Sequence, residues 1–441
     1  MEFFFELPLA WRAATLGFGG VLLLILIGLP IAYAMMAVGA AGIWAVIGQN
    51  SILGMLGQLP YTTVVSYDLS VVPMFVLMGV LVARAGMSED LYRLCHAFLG
   101  HRRGGLAMAT VVACGGFSAV CGSSLATVAT MGKVAMPEMR RFGYADSLAS
   151  ASVAAGGTLG ILIPPSVILV LYGIATGTDI GALFIAGIVP GIIAILFYIA
   201  AVWVVVLLKP DAGPSAPRTS WADRWRGFAS IGPIVLLFLV IIGGIYLGVF
   251  TPTEAAGVGA FFAFLFALWR RALTPRLIMA VLVETVVTTA ALFTVLIGAL
   301  LFSNFMNLAG LPDALKTVIA AANLSPVGVI FIILAIYLVL GCFMESLSMM
   351  LLTVPIFFPV VVGELGYDPV WFGIFVVMVT ELSLITPPVG LNLFVLRSVV
   401  RDVPIGTIYR GIMPFVIADA ARLLLIIAVP SVVLILPGLA L

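Results

Sequence analysis

Uncharged apolar runs recur from one end of this chain to the other: Ala13–Val46, Ile180–Leu208, Gly227–Phe250 and Thr285–Leu311. Each reaches the roughly 20 residues that carry a helix across a bilayer. Apolar residues make up 63% of the sequence and charged ones 9%, against about 25% charged in soluble domains. A water-facing surface cannot be built from such a chain. The fold class that follows is an all-α polytopic membrane protein, embedded along its 441 residues with no room for a soluble domain. No basic tail or basic helix points to nucleic acid. Cys95, Cys114, Cys121 and Cys342 form no CxxC pair and read as buried free thiols. The opening MEFFFELPLAWR lacks the basic start of a cleaved signal, so the first span is expected to stay.

Lys and Arg gather in blocks between the apolar runs: Arg84 to Arg103, Lys133 to Arg141, Lys209 to Arg226, Arg270 to Arg276 and Arg397 to Arg410. The alternate connections carry Asp68, Asp179, Glu254, Glu364 and Asp368. The positive-inside rule makes the basic blocks cytoplasmic. Ten spans satisfy this pattern, at about 13–29, 32–48, 70–86, 147–176, 182–208, 229–249, 255–269, 277–303, 370–397 and 412–436. Seventeen of the twenty basic residues then lie inside. Arg12 and Lys316 fall outside, and Arg422 lies in the last span. Two further apolar stretches, about 106–133 and 324–362, must enter and return on one side.

Those stretches belong to a repeat. Phe142-Gly143-Tyr144 matches Leu365-Gly366-Tyr367, and Pro164-Pro165 matches Pro387-Pro388, both at an offset of 223. Ser123 with Ser346, Thr130 with Thr353 and Leu159 with Leu382 keep the same register. The first Gly-Tyr follows Lys133, Arg140 and Arg141, whereas the second follows Glu364 and no basic residue. The two units therefore begin on opposite sides of the membrane, the inverted repeat of many secondary transporters.

A Pro-Pro pair removes backbone donors and breaks a helix. Freed backbone groups are tolerated at membrane depth only in protein or along a cavity. Carbonyl ends of a broken helix suit a cation, and the amides that open the next half suit an anion. The breaks read GGTLGILIPPS (Gly156–Ser166) and TELSLITPPVGLN (Thr380–Asn392). The hairpin tips read CGSS (Cys121–Ser124), followed by Thr127 and Thr130, and MESLS (Met344–Ser348), followed by Thr353. Glu345 and Glu381 lie in apolar sequence, where a carboxylate is costly and by default functional. Each is placed to coordinate a cation, take a proton or bond a substrate, or else to sit in a structural pair. Glu284 and the Asp419–Arg422 pair, spaced i to i+3, read as structural. Glu254 of TPTEAA is placed to cap a helix, and His96 and His101 sit in a solvated block.

The run FSAVCGSSLATVATMGKVAMPEM (Phe117–Met139), then Gly-Tyr and GGTLGILIPPS, resembles the large membrane subunit of TRAP (tripartite ATP-independent periplasmic) transporters, the DctM-like family. IGLPIAYAM, IAGIVPG (Ile185–Gly191), TPTEAAGVGA (Thr251–Ala260) and LITPPVGLNLFV (Leu384–Val395) fit as well. The resemblance implies an elevator-type transporter driven by Na⁺. It would work in the bacterial inner membrane with a small four-helix membrane subunit and a periplasmic substrate-binding protein, and carry an organic carboxylate. The small subunit is expected to be a separate chain. By resemblance one Na⁺ site falls around Ser123, Gly160, Ile163 and Pro165. Symmetry puts a second around Ser346, Ser383, Thr386 and Pro388. The substrate is expected between the tips, near Ser124, Ser166, Glu345 and Asn392. Residues 106–176 and 324–398 would then form the transport core. Residues 1–105 and 177–323 would be mainly scaffold, and 399–441 the C-terminal span.

Other classes lack their signatures. There is no HExxH, GxSxG or Asp-rich pair for a membrane enzyme, and no GxxxxGK[ST] for an ATP-driven permease. A proton-coupled or stand-alone anion transporter of related fold is the alternative.

Overall fold

The computed structural model describes residues 8–440, and every regular element among them is helical. The N-terminal part comprises α1 (Leu9–Leu26), α2 (Ile31–Ile47), α3 (Gln49–Val65), α4 (Val71–Arg84) and α5 (Met87–Leu99). The first repeat unit is α6 (Gly105–Cys121), α7 (Ser124–Arg141), α8 (Asp146–Thr158) and α9 (Val167–Thr176). Four connecting helices follow: α10 (Ile180–Leu208), α11 (Trp221–Tyr246), α12 (Pro252–Trp269) and α13 (Pro275–Leu308). Then come α14 (Leu311–Ala321) and the second unit, α15 (Pro326–Leu340), α16 (Ser346–Phe358), α17 (Pro369–Ile385) and α18 (Leu391–Val399). The chain closes with α19 (Ile405–Ala428) and two short turns.

Local sequence sets these boundaries. Side chains of Asp179, Ser220, Thr251, Thr274, Ser325 and Asp368 each accept a backbone N–H at a helix start, satisfying donors that the helix itself leaves free. Thr251 and Glu254 form a reciprocal capping box, the role expected of Glu254.

Adding 223 to the bounds of α6 to α9 gives 328–344, 347–364, 369–381 and 390–399, which nearly coincide with α15 to α18. The helix α16 is continued to Glu364 by a wider turn. Gly143 and Gly366 both adopt positive φ, and both Pro-Pro bonds are cis. The opposed orientation follows from the partners of each Gly-Tyr loop. In the first unit Ala145 N–H donates to Ala212 at 3.0 Å, in the basic Lys209–Arg226 connection. There Arg140 bridges Asp146 and Asp402, both at 2.7 Å, and holds the Asp402 carboxyl below its usual range. In the second unit Lys316 of α14 bridges Glu364 at 3.1 Å. This α14 stands at the far end of α13, which starts beside Arg270 and Arg271 and runs 34 residues, about 50 Å at 1.5 Å per residue. One Gly-Tyr loop is on the basic face and the other across the membrane from it.

Seven described helices are long and apolar enough to cross a membrane alone, or eight if Gln49–Val65 and Asp68–Arg84, bent by 61°, form one span. The spans expected at 32–48, 70–86, 147–176 and 370–397 are made of shorter helices, the last two being the broken pairs. The last span lies at Ile405–Ala428 rather than 412–436, because Val429-Pro430 ends it. The α3 helix was not expected: Gln49, Asn50, Gln58 and Pro60 interrupt its apolar pattern. Of the two histidines of the basic block, His96 is not solvated throughout, since its ring meets Phe142 edge-on at 5.6 Å. All four cysteines are free.

Candidate functional site

The first hairpin turns at Gly122, whose φ of 63° places it in the left-handed region where glycine carries no Cβ penalty. Ser123 then caps α7, its Oγ accepting from Ala126 at 3.4 Å. The Ser123 carbonyl accepts the Thr127 hydroxyl at 2.8 Å. This tip lies against the first break. A Cβ at Gly160 would sit 2.6 Å from the Ser123 carbonyl oxygen, and one at Gly122 would sit 3.1 Å from that of Pro165. Only glycine lets the two backbones approach so closely. Ser123, Gly160 and Pro165 are thereby brought into backbone contact, although the Ser123 carbonyl already accepts both the Thr127 N–H at 3.1 Å and the Thr127 hydroxyl at 2.8 Å. Ile163 is at the same turn, but its side chain packs on Gly115 and Gly191.

The second tip places Glu345 at the start of α16, where the first unit has Gly122 at the matching position. Ser348 donates to the Glu345 carboxylate at 3.2 Å. At the second break the hydroxyls of Ser383 and Thr386 donate back to Thr380 and Leu382, at 2.7 and 2.6 Å. Ser383 also packs against Gly341. The Pro388 carbonyl accepts the Tyr409 hydroxyl at 2.5 Å, so this oxygen is committed to α19. The two breaks match in sequence and differ in what their carbonyls bind.

Both tips meet in one cavity of about 360 Å³. Its core wall carries Ser123, Ser124, Thr130, Glu345 and Ser346. The opposite wall is formed by α4, through Val76, Gly79, Val80 and Ala83, and by α13, through Glu284, Thr288 and Leu292. Glu284 and Thr288 were missed as cavity residues. Their i, i+4 spacing on an apolar helix was the available signal, since it puts both on one face.

Two expected substrate contacts are set back from this cavity. Asn392 is fully buried; its amide donates to the Ser124 hydroxyl at 2.8 Å and to the Ala154 carbonyl at 3.3 Å. It therefore orients Ser124. The Ser166 hydroxyl donates to the Ile161 carbonyl at 2.6 Å and is also fully buried. Glu381 lies behind the second break, with its carboxylate 2.5 Å from the Arg422 guanidinium. Arg422 contacts Asp419 as well, so the expected self-neutralising pair is a buried triad. Tyr198 stands beside it and hydrogen-bonds Thr158, the last residue of α8, at 3.1 Å.

Residues 18–432 match the family model for the tripartite ATP-independent periplasmic transporter DctM component. The chain belongs to the DctM family. Among relatives of this DctM-family chain is the C4-dicarboxylate TRAP transporter large permease protein DctM of Pseudomonas aeruginosa, 38% identical over 84% of this chain and 86% of the relative. The sialic acid TRAP transporter large permease protein SiaM of Vibrio cholerae is 32% identical, covering 94% and 96%. The ectoine/5-hydroxyectoine TRAP transporter large permease protein UehC of Ruegeria pomeroyi is 32% identical, covering 97% and 99%. The fold is similar to that of the Alcanivorax borkumensis YdaH transporter, with a TM-score of 0.60 at 15% identity over 93% of this chain and 98% of that one. The chain is thus a multi-pass transport permease and not an enzyme.

Proposed function

We propose that this DctM-family chain is the large membrane subunit of a Na⁺-coupled importer in the bacterial inner membrane. It takes an organic carboxylate delivered by a periplasmic binding protein and works beside a small four-helix membrane subunit. The observation that carries this reading is the cavity in which both hairpin tips face α4 and α13. A solute held there touches the repeat units on one side and α4 and α13 on the other. Movement of the repeat units past those helices, as an elevator, would carry it across the membrane.

The close backbone approach of the first tip and break supports a cation site there, held by backbone around Ser123, Gly160 and Pro165. Bound Na⁺ would supply positive charge next to an anionic solute. The family's name describes three components, and relatives named for C4-dicarboxylate, sialic acid and ectoine share a carboxylate as the common chemical group. Reconstitution of the three proteins into proteoliposomes tests the reading. Uptake is expected to collapse when Na⁺ is replaced by K⁺, and again when the binding protein is omitted. Undiminished uptake in the first case removes Na⁺ coupling; in the second it removes delivery. Uptake that follows pH and ignores Na⁺ selects the proton-coupled alternative.

A further inference from the structure

The electrostatics of the cavity pose a problem for an anionic solute. Its lining carries two carboxylates, Glu284 and Glu345, and no Lys, Arg or His. The nearest cation on the α4 and α13 wall is Arg84, the last residue of α4. It holds Glu284 through Nη2 at 2.6 Å and Nε at 3.1 Å, and both donors converge on the single oxygen Oε2. A guanidinium pairs best with a carboxylate through two parallel bonds to two oxygens, so this arrangement leaves its fork only partly used. Both side chains are about half exposed, at 50% and 44%, so no other group among the described residues encloses the pair and a competing carboxylate can approach it.

We propose that Arg84 is a solute-recognising residue: it takes the carboxylate of the transported solute in bidentate fashion, and Glu284 holds the guanidinium while the cavity is empty. This deepens the carboxylate reading and rests on it. Arg84 belongs to a basic block on the cytoplasmic face, outside both repeat units. Its contact with the solute therefore forms when the tips are level with the inner end of α4, at the release side of the cycle. The exchange of partners also frees Glu284 to face a cation that accompanies the solute.

The test is binding to the full-length chain in nanodiscs with Na⁺ present, read by thermal stabilisation, with succinate, N-acetylneuraminate and ectoine as separate probes. For whichever probe stabilises the parent protein, Arg84→Gln is expected to raise the half-saturating concentration at least about tenfold, and Arg84→Lys less, since Lys lacks the planar fork. The charge swap Arg84→Glu with Glu284→Arg keeps an ion pair at the same place. It is expected to melt like the parent without probe, yet not to recover binding. Parental affinity in Arg84→Gln, or full recovery of binding in the swap, would reduce the pair to a structural contact and overturn the inference. A parent protein stabilised by none of the three probes would overturn the inference, while the carboxylate reading itself stands or falls on uptake by the three-protein proteoliposomes.

Discussion

Glu345 and Glu381 look alike in the sequence, as single carboxylates in apolar runs, yet the fold gives them different surroundings. Glu345 lines the cavity between the tips, whereas Glu381 is fully buried against Arg422. We expect Glu345→Gln to cut initial uptake at least about tenfold while the protein inserts normally, because a cavity charge acts on ion and solute together. Unchanged uptake with the parental Na⁺ dependence would make Glu345 structural. The triad obeys charge counting. Two acids face one guanidinium, so Arg422→Met strands both carboxylates and is expected to cost about 3–5 kcal/mol. Glu381→Gln leaves a balanced Asp419–Arg422 pair and is expected to cost much less. Thermal unfolding in nanodiscs measures both; equal losses would contradict this account of the triad. Spacing alone revealed the Asp419–Arg422 pair. The third member, Glu381, lies 41 residues from Arg422, beyond any local pattern.

At the scale of elements, the hairpins and breaks were legible because an ungapped offset of 223 carries Gly-Tyr and Pro-Pro from one unit to the other, and the helix bounds follow it. What was not legible depended on tertiary partners. The Pro388 carbonyl turns to Tyr409, and Asn392 reaches back to Ser124; neither contact has a sequence signature. The α3 helix escaped because its polar residues and proline obscure an apolar segment whose Leu53, Leu56, Tyr61 and Val64 remain exposed. The close approach at the first break predicts a sharp steric effect. Gly160→Ala meets the Ser123 backbone and should abolish uptake or raise the Na⁺ requirement at least about tenfold, since fixed backbone cannot yield as a side-chain tip can. Gly257→Ala, which meets nothing within 4 Å, is the control. Equal uptake by both variants would remove the first break from the cation site. Orientation is tested by single cysteines in a background lacking the native four. Replacements of Pro217 and Thr274 should label only from the cytoplasm, and one at Asp313 from outside. Labelling of position 313 only from inside would undo the inverted arrangement.

For the whole molecule, composition and charge blocks were enough to give a polytopic α-helical protein, because a bilayer leaves the backbone few other solutions. They could not give the wall opposite the hairpin tips, since α4 and α13 lie some 200 residues apart and meet only in the fold, through Arg84 and Glu284. If the repeat units travel past that wall, Thr130 on the core and Thr288 on α13, which line the same cavity, must separate during the cycle. Spin labels at these two positions, in the reconstituted three-protein transporter, report their distance distribution. A moving core predicts two populations whose ratio shifts when Na⁺, solute and binding protein are added. A single distance, unchanged under every condition, would contradict it.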